Sequence, residues 1–222
     1  MFFLLMSIFM NAQNVFIEYK VTIGKDSLID KGNPFPKIFE EAKSNAKYLN
    51  FGLIVKGETS YFYSIDKMND LNNSLALSKI IALYNGVIYR DKDYLYQKSD
   101  LLGDNIYVKT ELNRNWKLEK EIKKIDKYIC YKAITEYIVT NPKGKSKHSV
   151  TAWYCPEISS QMGPMGYGGL PGLILELQVR NVTYGATKIE VKSENDFEII
   201  KDKMNIITEE ELDKKLEELN GF

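Results

Sequence analysis

The residues of this 222-residue chain that could do chemistry are few: two cysteines, Cys130 and Cys155, one histidine, His148, and a glutamate, Glu176, set inside the apolar run LILELQV. A Cys–His nucleophile needs an imidazole beside a thiolate. The two apolar segments from Tyr128 and up to Tyr154 flank NPKGKSK, and Asn141-Pro142-Lys143-Gly144 suits a type I turn. A turn centred on Pro142 and Lys143 sets Tyr131 opposite Tyr154, Ala133 opposite Ala152, and Thr135 opposite Val150. Apolar then meets apolar, which a slip of one residue would undo. In that register His148 faces Tyr137, on the other face from both cysteines, so no catalytic Cys–His pair is expected. Cys130 stands directly opposite Cys155, which leaves two readings, a disulfide or two buried small residues. A bridge needs Cβ atoms within about 3.5–4.5 Å. One histidine and two cysteines are too few for a metal site of the usual kind, and neither a metal nor another cofactor is expected.

Paired carboxylates occur at Glu40-Glu41, Glu209-Glu210-Glu211 and Glu217-Glu218, all on helical patterns where a solvated face explains them. Glu176 either points to solvent between Leu175 and Leu177 or serves a function. The stretch GPMGYGGLPGLILEL, residues 163–177, has neither the spacing of a phosphate-binding loop nor a following Lys-Ser/Thr. No serine sits in a nucleophile elbow. Of the fifteen tyrosines, Tyr61, Tyr63, Tyr84, Tyr89, Tyr94 and Tyr96, with Phe62, could line a cavity or a sticky face; ordinary strand positions are the plainer reading. No catalytic residue emerges, and the expectation is a protein that is not an enzyme. The alternative is a hydrolase built on carboxylates that the sequence does not group, with Glu176 the first to test.

Alternation dominates the elements that must position these residues. Val15, Ile17, Tyr19, Val21 and Ile23 are apolar at every second position, as are Leu49, Phe51, Leu53 and Val55. After Gly57, Tyr61, Tyr63 and Ile65 suggest a hairpin partner. Further strands read at Val87 to Tyr89, Ile106 to Leu112, Trp116 to Glu121, Tyr128 to Val139, Ser149 to Tyr154, Leu173 to Val179, and Thr187 to Lys192. Pro36 to Tyr48 has a weak helical pattern through Ile38, Phe39, Ala42 and Ala46; Asn69 to Tyr84 reads as helix or long loop. Thr208 with Glu211 is a capping box opening a helix with Leu212, Leu216 and Leu219 on one stripe. The fold class is mainly β (α+β): a single domain with a curved antiparallel sheet and few helices.

Lys plus Arg and Asp plus Glu balance at 30 each, which argues against a nucleic-acid partner. MFFLLMSIFMNAQ at the start carries no charge, and Phe2 to Met10 is too short to span a bilayer but has the length of a signal-peptide core. Cleavage after Ala12 leaves a mature domain from Gln13 to Phe222; a buried strand is the other reading, since no Lys or Arg precedes the core. No later segment has the length of a transmembrane helix.

The segment TAWYCPEISSQMGPMGYGGLPGLILEL resembles the GLPGLI family, exported proteins of Bacteroidetes named for the hexapeptide found here as Gly169-Leu170-Pro171-Gly172-Leu173-Ile174. YICYKA, TAWY, PEI and the pair Gly163-Pro164 extend the match, which is strong over residues 115–180. The family usually carries a polar residue where Cys155 stands. Its members are generally of unknown function, and some are encoded near TonB-dependent outer-membrane receptors. The resemblance implies a periplasmic or outer-membrane-associated accessory protein, whose partner would be such a receptor or an apolar or peptide ligand. The half-open sheets of periplasmic lipoprotein carriers are a fold analogue. The glycines and prolines themselves imply a shaped crossover that delivers Leu173 to Leu177 into the sheet, since glycine admits positive φ and close backbone approach and proline fixes φ; a loop that contacts a ligand or partner is the other reading.

Overall fold

The structure, a computed structural model, describes residues 14–25, 35–65, 73–99, 105–141, 144–192 and 204–220. The export segment and the turn residues Pro142 and Lys143 lie outside them. Period-2 alternation produces the strands expected from it. In β1 (Asn14–Ile23), Val15, Ile17, Tyr19 and Val21 are buried, while Glu18, Lys20 and Thr22 take the other face. There follow β2 (Asn50–Lys56), β3 (Thr59–Ser64), β4 (Ile88–Arg90), β5 (Tyr94–Lys98), β6 (Ile106–Glu111), β7 (Lys117–Ile125), β8 (Tyr128–Asn141), β9 (Gly144–Cys155), β10 (Leu173–Val179), β11 (Val182–Lys192) and β12 (Asn205–Thr208). The helices are α1 (Pro36–Asn45), α2 (Asn73–Ile81) and α3 (Glu209–Asn220).

All twelve strands form one sheet in the order β12-β6-β5-β4-β3-β2-β1-β11-β10-β9-β8-β7. Two antiparallel meanders, β1 to β6 and β7 to β11, are thus sewn together where β1 pairs with β11. Only β12 runs parallel to its neighbour, β6. The five residues 112–116 join β6 to β7, and a stretch of that length spans at most about 20 Å. In a flat sheet the same two strands, ten places apart in the order, would be separated by nearly 50 Å at about 4.8 Å per strand. The sheet must therefore curl until its two ends face each other, and it does so without closing.

One face of the curl carries the core. Phe51 and Phe62 stack at 5.5 Å, and Tyr184 meets Phe51 edge-on at 5.2 Å. Two buried tyrosines tie this cluster to distant backbone: the Tyr19 hydroxyl donates to the Ile174 carbonyl at 2.6 Å, and Tyr184 donates to Ala82 at 2.7 Å. Burial pushes both phenols well above the ordinary tyrosine range, so both stay protonated and able to donate. α1 and α2 pack on each other over this face, joined by the Ser78 hydroxyl to the Ala42 carbonyl at 2.7 Å. Pro36 opens α1, where its missing N–H costs nothing.

Three expectations change. The buried residues of β3 are Ser60 and Phe62, opposite Val55 and Leu53, so Tyr61 and Tyr63 lie on the other face. Tyr84 likewise joins the core. Ile38 is 56% exposed; small Ala42 and Ala46, not the larger residues, seat α1 and the turn after it. β11 starts at Val182 instead of Thr187, and β5 and β12 were not anticipated. The capping box forms as expected: Thr208 and Glu211 exchange hydrogen bonds at the start of α3.

Replacing Tyr19 with Phe removes one buried hydrogen bond and little volume. The expected loss is about 1–2 kcal/mol, read as a lower urea midpoint with an unchanged slope.

Candidate functional site

The glycine-rich segment runs between β9 and β10 and fills the inside of the curl with backbone. Gly163 is extended and opens a single 3-10 turn, Pro164–Gly166. A bridge between Met162 and Gly168, with the Gly169 amide donating to Gln161 at 2.8 Å, folds the segment back on itself. Leu170 is buried, Pro171 and Gly169 face out, and Leu173 and Ile174 enter the core. Two glycines are required by space. A Cβ on Gly168 would lie 1.9 Å from an Arg90 nitrogen and 2.2 Å from the Gln161 carbonyl oxygen. One on Gly172 would lie 2.3 Å from the Cys155 carbonyl oxygen, at a φ of +153°.

Arg90 and Trp116 hold this backbone from either side. Arg90, on the core face of β4 and 4% exposed, donates from Nη1 to the Gly166 carbonyl at 3.3 Å. Its Nε has no hydrogen-bond partner. Burial pulls its pKa down to about 10, helped by the nearby Arg114 and opposed by Asp91, so it remains a cation at neutral pH. Trp116, in the link from β6 to β7, donates to the Gly168 carbonyl at 2.9 Å and meets Tyr167 edge-on at 6.2 Å. Arg114 of the same link donates to the Lys92 carbonyl. The link that forces the sheet to curl therefore also clamps the segment inside it. Neither Arg90 nor Trp116 was singled out from sequence: a three-residue strand and a loop carry no periodic signal.

The β8–β9 hairpin has the expected register, with Tyr131 on Tyr154, Ala133 on Ala152, Thr135 on Val150 and Tyr137 on His148. His148 rests its ring 5.1 Å from Tyr137, away from both cysteines. Cys130 and Cys155 are buried free thiols, one step beyond the Tyr131–Tyr154 pair. Burial pushes Cys130 up to about 12 and raises Cys155 as well. Glu176 does not point idly to solvent: both of its oxygens accept from the Lys123 ammonium, at 2.7 and 2.6 Å. That pairing takes up the charge a catalytic carboxylate would offer. Among the described residues no three His, Cys, Asp or Glu side chains converge as metal ligands.

A concavity among the described residues lies elsewhere, on the face turned away from the helices. It is an open cleft of about 730 Å³ where β1 ends, β9 begins and β10 turns into β11. Cross-strand pairing builds its floor: Thr22 lies beside Thr183, Thr183 beside Gln178, and Gln178 beside Thr151. A row of hydroxyl and amide groups thus crosses four strands. Lys25, Lys147 and Arg180 stand at the rim, and none of the described residues that line the cleft is a carboxylate. Glu136, just outside, pairs with Lys147 at 3.3 Å. The aromatic residues that could have lined a sticky face are divided as ordinary strand positions would be, with Phe62 and Tyr84 in the core and Tyr61 and Tyr63 opposite.

With this geometry in view, the comparisons with known proteins can be read. Residues 140–176, from the tip of the β8–β9 hairpin through the glycine-rich segment to Glu176, match the model of a family described as "Protein of unknown function (Porph_ging)". No curated protein matches the chain. Among solved structures the chain is similar to PNGF-II, in its C2 crystal form with a TM-score of 0.52 and 16% identity, over 92% of this chain and 32% of that one. The P21 form gives a TM-score of 0.54 and 15% identity, over 91% and 33%. The chain spans about a third of PNGF-II, and at this identity the likeness is one of fold.

The two glycines of the hexapeptide, exposed Gly169 and buried Gly172, separate strain from crowding. Gly172→Ala meets backbone and should cost at least about 3 kcal/mol. Gly169→Ala, with φ at +84° but its nearest neighbour 3.8 Å away, should cost only about 1–2 kcal/mol of left-handed strain. Urea unfolding of both variants checks the difference; equal losses would mean that packing against Cys155 is unimportant.

Proposed function

We propose that this chain is an exported, non-catalytic binding protein of the cell envelope whose ligand site is the polar cleft at the ends of β1, β9, β10 and β11. One observation carries the reading: the floor of Thr22, Thr183, Gln178 and Thr151 sets hydrogen-bonding side chains in register across four strands, under a cationic rim. Such a surface suits a small polar molecule bearing negative charge, held by hydroxyl and amide contacts with lysine at its edge. It does not suit the apolar ligand suggested by the lipoprotein-carrier analogy. Export is supported by the uncharged apolar start of the sequence. Strand addition to a receptor finds a poor edge at β7, KLEKEIKKI, whose charges resist pairing with another chain.

Native mass spectrometry of the chain purified from its own envelope, compared with its denatured mass, tests this. The wild type should carry a discrete non-covalent mass. Thr151→Trp, which fills the floor from an exposed strand face, should lose that mass while its Tm stays within a few degrees. A bare wild-type chain, or a ligand retained by the Trp variant, would contradict the assignment of the site. Chemical conversion of the ligand on incubation would contradict the non-catalytic reading.

A further inference from the structure

Two strands, two thiols and one ion pair meet at a single point of the sheet, on the face turned away from the helices. One step past the Tyr131–Tyr154 pair, the β8–β9 register brings Cys130 opposite Cys155. Both thiols are free, and neither residue has exposed surface. Cys130 is flanked by Lys123 of β7, its cross-strand partner, and Cys155 by Leu173 of β10. The Lys123 ammonium then reaches Glu176 of β10, across the two intervening strands that carry the thiols. Lys123 is the direct cross-strand neighbour of Cys130, so this ion pair starts beside it. On the other side of Cys155, its carbonyl is pressed by Gly172.

We propose that Cys130 and Cys155 form a cross-strand staple that closes while the chain folds and is then sealed beneath the Lys123–Glu176 ion pair. The oxidant is an external disulfide, either a small one such as oxidised glutathione or that of a thiol oxidase. One cysteine thiolate attacks a sulfur of that disulfide and expels the first thiolate. The second cysteine thiolate attacks the mixed disulfide, forms the Cys130–Cys155 bond and expels the second. The protein loses two electrons and two thiol protons, and the external disulfide becomes two thiols. Once β7 is docked, burial holds both cysteines as thiols and leaves no path for the attacking partner, so the exchange belongs to folding and not to the folded state. The staple would fix the strand end from which the glycine-rich segment departs. This inference is independent of the cleft.

The test follows iodoacetamide uptake by intact mass, using the full chain prepared with reduced thiols. In the folded wild type, alkylation should be at least about 100-fold slower than in concentrated urea, and Lys123→Ala should speed it about tenfold without unfolding the chain. Refolding in a buffer of reduced and oxidised glutathione should give a monomer lighter by two hydrogens. That monomer should take up no iodoacetamide in urea and melt about 5–10 °C above the reduced form. The folded reduced chain, placed in the same buffer, should stay reduced. Cys155→Ser separates a failed bridge from a failed fold, since it should refold but end as a glutathione adduct at Cys130. Free alkylation of the folded chain, refolding to glutathione adducts or linked dimers in the wild type, or a bridged form that melts lower would overturn the proposal.

Discussion

The rest of this structure depends on a shortage of room. A twelve-stranded sheet whose meanders are joined at the far ends by residues 112–116 has to curl, and the inside of the curl is too narrow for side chains where strands approach the β9–β10 connection. Only backbone fits at Gly168, against Arg90, and at Gly172, against the Cys155 carbonyl. The hexapeptide Gly169–Ile174 then follows from curvature: Gly172 makes a close approach, the leucines and isoleucine supply buried volume, and the exposed Pro171 stiffens the path. Packing density in protein interiors leaves no slack to absorb a misplaced methyl group at such points.

The polar half of the structure answers to a different condition. Filling the curl with backbone places carbonyl groups where water cannot reach them, and each needs a donor. Arg90, Trp116 and Tyr19 supply three, to Gly166, Gly168 and Ile174. These come from β4, from the β6–β7 link and from β1, so the segment is pinned by elements far apart in sequence. A buried arginine is expensive to desolvate, and this one meets a carbonyl through one nitrogen while its Nε meets nothing. Its compensation is positional: it reads the backbone of the one segment that cannot carry side chains there. The opposite face carries ion pairs such as Lys132–Glu121 and Lys188–Glu190, which contribute little stability individually.

How much of this was legible in the sequence follows from how local each determinant is. The β8–β9 register was, because a two-residue turn and facing alanines leave one alignment that pairs apolar with apolar. β1, β2 and the Thr208–Glu211 box were legible for the same reason: the signal lies within a few residues. β5 was not, because YLYQK is short and its alternation is masked by tyrosines that suit either face; β12 was not, because four residues beside a parallel neighbour have no pattern of their own. The polarity of β3 was misread because Tyr and Phe look alike to a hydropathy rule, whereas only Phe can enter a core without a partner for its hydroxyl. Of the site residues, the glycines announced a close approach but not what they approach. Gly168 is needed for space and not for positive φ, and Arg90, Lys123 and the threonine row are placed only by pairing between distant strands.

The account's central claim is that the glycine-rich segment is interior structure and not a surface loop. Native-state hydrogen exchange followed by mass spectrometry over residues 160–175 measures this directly. The amides of Gly169, Gly172 and Ile174, which donate to Gln161, Leu170 and Met162, should exchange as slowly as those of β1 and β11, through opening of the whole sheet. Exchange on the timescale of exposed turns such as Gly57, while β1 and β11 stay protected, would contradict it.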